Sequence, residues 1–187
     1  MGIVLAGTVG LILTASQSAS AGHADTLAFN RALGVACTHC HVVGQWADPS
    51  VPVYAFAQRM IRMVDGLNGG LLKPVGGVTC WTCHRGRTVP ARLPRESWQE
   101  IQAAHAADFT DRPERALAMS VYSASLGVDC AHCHTAGRWA ENGPPAMAMV
   151  ARMQALFDEM PRYFSDSPRK PLLQCYLCHQ GAITPAR

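Results

Sequence analysis

Four stretches share one pattern: Cys37-Thr38-His39-Cys40-His41, Cys80-Trp81-Thr82-Cys83-His84, Cys130-Ala131-His132-Cys133-His134 and Cys175-Tyr176-Leu177-Cys178-His179. Together they consume all 8 cysteines of the 187-residue chain. Cys-x-x-Cys-His is the spacing at which a c-type haem is stitched to a polypeptide. Two thiols three positions apart reach the two vinyl groups of one porphyrin, and the adjacent histidine falls beneath the iron. The alternatives are zinc half-sites or a disulfide framework. Each copy supplies three obvious ligands, whereas a closed zinc site needs four. The pattern therefore predicts four covalently attached haem c groups. Cys37 and Cys40, Cys80 and Cys83, Cys130 and Cys133, and Cys175 and Cys178 form the thioethers, and His41, His84, His134 and His179 are the proximal ligands.

The chain also repeats itself. Leu33-Gly34-Val35-Ala36-Cys37 recurs as Leu126-Gly127-Val128-Asp129-Cys130, 93 residues on, and Gly44-Gln45-Trp46 as Gly137-Arg138-Trp139. After a two-residue insertion, Cys83-His84-Arg85-Gly86 recurs as Cys178-His179-Gln180-Gly181, and Pro90-Ala91-Arg92 as Pro185-Ala186-Arg187. This divides the chain into residues 1–21, a first dihaem repeat at 22–92, a linker helix within 93–112 and a second dihaem repeat at 113–187.

The expected fold class is mainly α with extensive loops. Helices are predicted over Leu27–Leu33, Pro52–Leu67, Glu96–Ala107, Pro113 to about Gly127, and Pro145–Met160, with prolines at helix starts and Gly69-Gly70 or Pro161 as stops. β-branched residues are scattered without period-two runs, so no strand is predicted. Charged residues are only 16% of the chain, which suits an interior built largely of porphyrin, and the chain without haem is expected to be largely unfolded. The formal charge of +3 is no guide to partners, because eight haem propionates reverse its sign, and no nucleic-acid partner is inferred. Met1–Ala21 carries no charged side chain and ends in Ala19-Ser20-Ala21. It reads as a cleaved export signal or an uncleaved membrane anchor.

Each iron has a sixth position, whose occupant sets its potential and decides whether it can bind substrate. Met60 and Met153 are equivalent in the repeat and are the candidates for the haems of Cys80/Cys83 and Cys175/Cys178. Met63 falls on Leu156 and reads as core, as do Met147, Met149 and Met160. Met119 precedes Cys130 by eleven residues and is the candidate for the third haem. Its first-half counterpart is Thr26, so His23, with His105 of the linker helix as competitor, is the candidate for the first, unless that iron stays open.

These residues resemble a known family. Leu-Gly-Val-x-Cys-x-x-Cys-His, the Arg-Met-x-x-Met helix ending near Leu67-Asn68, and Gly77-Val78-Thr79-Cys80 through Gly86 with Pro90 are similar to the tetrahaem cytochrome c subunit of photosynthetic reaction centres. The resemblance implies a periplasmic, membrane-associated electron carrier. It would take electrons from a soluble donor, a small cytochrome c or a high-potential iron-sulfur protein, and pass them to the photo-oxidised pigment pair of the reaction-centre core subunits. It also implies that Met60 and Met119 are ligands. The family's bis-histidine ligand has no counterpart, since Ile61–Thr79 contains no histidine. Nothing reads as a catalytic constellation. The alternatives are a quinol-linked respiratory carrier, a multihaem reductase with one open iron, and a structural role stacking haems into filaments.

Overall fold

The structure, a computed structural model, describes residues 18–110, 112–139, 146–171 and 173–187, with side chains from Thr26 onward. Most of the candidate signal or anchor at 1–21 and the side chain of His23 lie outside the described residues. Among the described residues no helix is long and apolar enough to cross a membrane.

The chain is helical with long connections. Its helices are α1 (Ser18–Leu33), α2 (Pro52–Gly69), α3 (Cys80–His84), α4 (Arg95–Ala104), α5 (Pro113–Leu126), α6 (Ala146–Glu159) and α7 (Tyr176–His179). Short 3-10 segments cover Cys37–His39, Lys73–Val75, Ala106–Phe109, Cys130–His132 and Met160–Phe164. Helices α2, α4, α5 and α6 fall within a few residues of the sequence expectation, because proline starts α2 and α5 and a left-handed glycine follows α5, whereas α1 begins at Ser18, well before the expected Leu27. Extended pairing among the described residues is limited to two isolated bridges, Val42 with Gln45 and Thr135 with Arg138. Two short helices, α3 and α7, were not expected. They are the second and fourth haem motifs themselves, and Thr79 caps α3 through a reciprocal bond pattern with Thr82.

One contact delivers the first and third motifs. Gly34 and Gly127 leave α1 and α5 with φ of +67° and +66°, turning the chain toward the following Cys-x-x-Cys. At each, a β-carbon would lie 2.2 Å from a carbonyl oxygen, that of Gly86 or of Gly181. The same backbones are tied by Gly86 N–H to Ala32 O (2.8 Å) and Gly181 N–H to Ser125 O (2.9 Å). Thus α1 docks on the strand of chain leaving α3, and α5 docks on that leaving α7.

The hydrophobic core is small. Leu67 of α2, Leu72 of the following loop and Leu156 of α6 are buried together, with Met63, Met153 and Met160 packed against them. On α2 the residues Met60, Met63 and Leu67 fall at i, i+3 and i+7, one face of the helix; Met153 and Leu156 of α6, with Met160 at the start of the 3-10 segment that follows, repeat the spacing. Phe164 is fully buried and meets Phe56 at a ring separation of 5.3 Å, joining the second half to α2. Arg59 pairs with Asp166 beside this contact.

The loop from α2 to α3 is held by one side chain. The Asn68 amide donates to Val78 O and accepts from Val78 N–H, both at 2.8 Å. Val78 lies two residues before Cys80, so this clamp sets where the second motif begins. Asn68→Ala is expected to cost roughly 1–3 kcal/mol, since it orphans two half-buried backbone groups. Denaturant unfolding of the loaded protein, compared with wild type, measures it.

Candidate haem sites

The four motif histidines fall into two pairs. His84 Nδ1 lies 2.9 Å from Arg87 O, and His179 Nδ1 lies 2.9 Å from Ala182 O. A ring that donates from Nδ1 presents a bare Nε2, the form and orientation a metal ligand requires. Burial holds the His84 imidazole below the usual histidine range, against the opposing effect of the Arg87 and Thr88 carbonyls, and so favours the neutral ring. His41 and His134 are seated differently. Each is packed edge-on against a tryptophan, His41 on Trp46 at 6.2 Å and His134 on Trp139 at 6.1 Å. His41 also meets Tyr54 at 5.4 Å. The Nδ1 atoms of both are buried without a partner among the described residues.

The thiols are set in apolar surroundings. Burial pushes those of Cys40, Cys80, Cys130, Cys133 and Cys175 up, so they are protonated at neutral pH. Asn30 Nδ2 lies 3.1 Å from Cys37 Sγ, fixing the first sulfur against α1. Among the described residues no three Cys, His, Asp or Glu side chains converge in the way a metal ion held by protein alone requires.

The fourth motif opens on a cavity of about 390 Å³, walled mostly by apolar side chains. Cys175, Cys178 and His179 line it, and so do Met149, Met153 and Phe157 of α6. His132 and Cys133 of the third motif reach the same cavity, so these two motifs share a wall. Apolar lining, a cysteine pair, an imidazole with Nε2 free and a thioether within one cavity of ligand-binding size are what a covalently attached haem requires. The residues fit the group.

Met153, the sequence candidate for the fourth haem, lines this cavity. Met149 departs from expectation. It was read as core, but it is 42% exposed and lines the cavity, because α6 presents successive turns to it. Met60 is half-buried on α2, on the face that carries Met63 and Leu67. Met119 is half-buried on α5, one and two turns before Ser123 and Gly127, which border an open hollow beside Cys130.

Two juxtapositions lie outside the sequence reading. His105, proposed as competitor to His23 for the first haem, stands instead beside the third motif. Its Nε2 is 3.9 Å from Cys130 Sγ, and its Nδ1 is 3.1 Å from Asp108 Oδ2. The cause is the packing of α4 against α5, whose end delivers Cys130. Cys83 and Cys178, each expected to hold a porphyrin, are bonded to one another as a disulfide. Their Cα atoms are 4.1 Å apart because α3 and α7 pack end to end. A sulfur in that bond cannot also form a thioether, so the bond and full haem loading are mutually exclusive states. Sequence reading missed this juxtaposition, as it missed the hydrogen bond from Tyr122 OH to Gln154 Oε1 (2.9 Å) between two residues of the fourth cavity wall. Neither has a local sequence signal.

Cys-x-x-Cys-His at four turns of a helical scaffold is the arrangement by which c-type cytochromes attach haem. Residues 28–112 match the family model described as the photosynthetic reaction centre cytochrome C subunit. The photosynthetic reaction center cytochrome c subunit of Thermochromatium tepidum is 41% identical over 56 residues, 29% of this chain and 14% of that one. Those of Rubrivivax gelatinosus and Roseobacter denitrificans are 25% and 23% identical, covering 80% of this chain in both cases and 58% and 60% of theirs. The chain is thus similar to photosynthetic reaction-centre cytochrome c subunits, and it spans about three fifths or less of the length of those it matches.

Proposed function

We propose that the chain carries four covalent haems in two dihaem units and passes single electrons along them to the photo-oxidised pigment of a reaction centre. The observation that carries this reading is the fourth cavity, where the donor set and the apolar lining coincide and where the third motif shares a wall. Shared walls favour short distances between neighbouring haems. The matched approaches of Gly34 to Gly86 and of Gly127 to Gly181 support the two-unit scaffold.

When bound, haem supplies a one-electron couple; the protein's part is to hold it and set its potential. The Nδ1 bonds of His84 and His179 orient the proximal rings. Met60, Met119 and Met153 would supply thioether ligands, and His23 would serve the first haem. Held by such a set, no iron would be open to substrate, and the chain would act as an electron carrier and not as an enzyme. On this reading it lies on the periplasmic side, is held at the membrane by the reaction centre or by its N-terminal segment, and is refilled by a soluble donor.

Met153→Ala is expected to convert one of the haems to a high-spin state, whereas Met149→Ala, at the more exposed turn, leaves all low-spin. Electron paramagnetic resonance distinguishes the two outcomes. The functional reading as a whole is tested by purifying the protein from its native membranes. Copurification with a bacteriochlorophyll complex and flash-induced haem oxidation support it. Turnover of nitrite or hydroxylamine by the pure protein replaces it with a reductase.

A further inference from the structure

A haem is an apolar disc with one charged edge. Its two propionates stand on the side of the porphyrin away from the vinyl groups that Cys175 and Cys178 would bond. A carboxylate brought against an apolar wall is costly unless it is paired. The wall of the fourth cavity supplies one partner. Among the described residues that line it, Arg187 is the sole lysine or arginine, and no aspartate or glutamate stands with it. Arg187 is exposed as well as lining the cavity, so its charge lies at the rim, where solvent and wall meet.

The guanidinium is held there by the loop between α2 and α3. Arg187 Nη2 donates to Val75 O at 2.8 Å. The fork lies against Gly76, where a β-carbon would come within 2.8 Å of Nη2 and 3.0 Å of Nη1. Gly76 has φ of +84°, so the turn favours glycine for its own conformation, and a glycine leaves the room that the fork occupies. No atom of Cys83 or Cys178 takes part in this contact, and the same loop is fixed further along by the Asn68 clamp on Val78. One N–H of the guanidinium is committed to Val75 O, and its planar fork suits bidentate pairing with a carboxylate. No carboxylate pairs with Arg187 among the described residues. The repeat shares the feature: Arg92 and Arg187 each lie eight residues after the proximal histidine of a unit's second motif.

We infer that Arg187 is the propionate-binding residue of the fourth haem, pairing its fork with a carboxylate of that haem at the cavity rim. This rests on the tetrahaem reading above. The assignment gives Arg187 two tasks. It neutralises a carboxylate that would otherwise face apolar wall, and it places positive charge beside that haem, which disfavours the oxidised iron.

The test is a redox titration of the loaded protein, with haem content read by intact mass. Arg187→Gln keeps a donor for Val75 O and removes the charge. One midpoint is expected to fall, the oxidised-to-reduced ratio of that haem rising threefold to tenfold, roughly 28–59 mV for one electron. Arg187→Lys, which keeps the charge, is expected to retain most of the wild-type value. In the Cys175→Ser, Cys178→Ser protein, which lacks the fourth haem, Arg187→Gln is expected to move none of the remaining midpoints. Equal shifts in the Gln and Lys variants, or unmoved midpoints in both, reduce Arg187 to a tether for the loop and overturn the inference. A shift that persists without the fourth haem assigns the charge to another haem and overturns it too. Should Arg187→Gln fail to keep its fourth haem, recovery by Arg187→Lys supports the ion pair, and loss in both variants rejects it. Wild-type mass is measured first, with the motif peptides mapped. Fewer than four haems with the fourth motif loaded refutes the tetrahaem reading and not the propionate contact, whereas a bare fourth motif refutes both.

Discussion

Gly127→Ala is expected to abolish stable folding or to cost more than about 3 kcal/mol, while Gly137→Ala costs only about 1 kcal/mol. The two glycines have similar left-handed φ, +66° and +76°, so the conformational penalty of roughly 1–2 kcal/mol for an L side chain is common to both. The difference is what a β-carbon meets. At Gly127 it meets the carbonyl oxygen of Gly181 at 2.2 Å, and backbone on backbone cannot be relieved by turning a side chain. At Gly137 nothing lies within 4 Å. The shift needed at Gly127 would pull α5 off the chain leaving α7 and break the Gly181 N–H to Ser125 O bond. Since a domain of this size is stable by only about 5–15 kcal/mol, such a loss is a large share of the whole. Denaturant melts and haem yield in a host able to attach haem measure it. Gly34, against Gly86 O at the same 2.2 Å, is expected to behave as Gly127 does.

Without haem, the oxidised chain is expected to take up six thiol-alkylating groups, and eight after reduction. The fully loaded chain is expected to take up none, because every cysteine sulfur is then a thioether. Intact mass after alkylation reads all three states. Cys175→Ser with Cys178→Ser is expected to remove one haem and leave the other three, since each motif carries its own thiol pair and proximal histidine. A loss of two haems would mean that the third and fourth sites, which share a cavity wall, load together. A six-label apo form has a practical consequence: a reductant must open the Cys83–Cys178 bond before the second and fourth haems can both attach. Haem attachment in a reconstituted system is therefore expected to stop short of four unless a dithiol is present.

The motif positions and the helical class were legible in the chain because each is a local or periodic property. Thiol spacing is dictated by the porphyrin, and helix starts follow from Pro52 and Pro113. The choice of Met153 for the fourth haem came from its equivalence to Met60, and it lines that cavity. Met149 was misread because helical periodicity shows which residues share a face, not which neighbour leaves that face open.

Other features were decided only when distant segments met. The contact of Arg187 with Val75, the approach of Cys83 to Cys178, and the arrival of His105 at Cys130 join residues that no local pattern connects. The sequence by itself determined which groups can bind haem, since that is a matter of covalent reach along a few residues. The tertiary structure decided which sites are neighbours and which charged side chain reaches the fourth cavity, because fields and contacts act through space and are blind to separation along the chain.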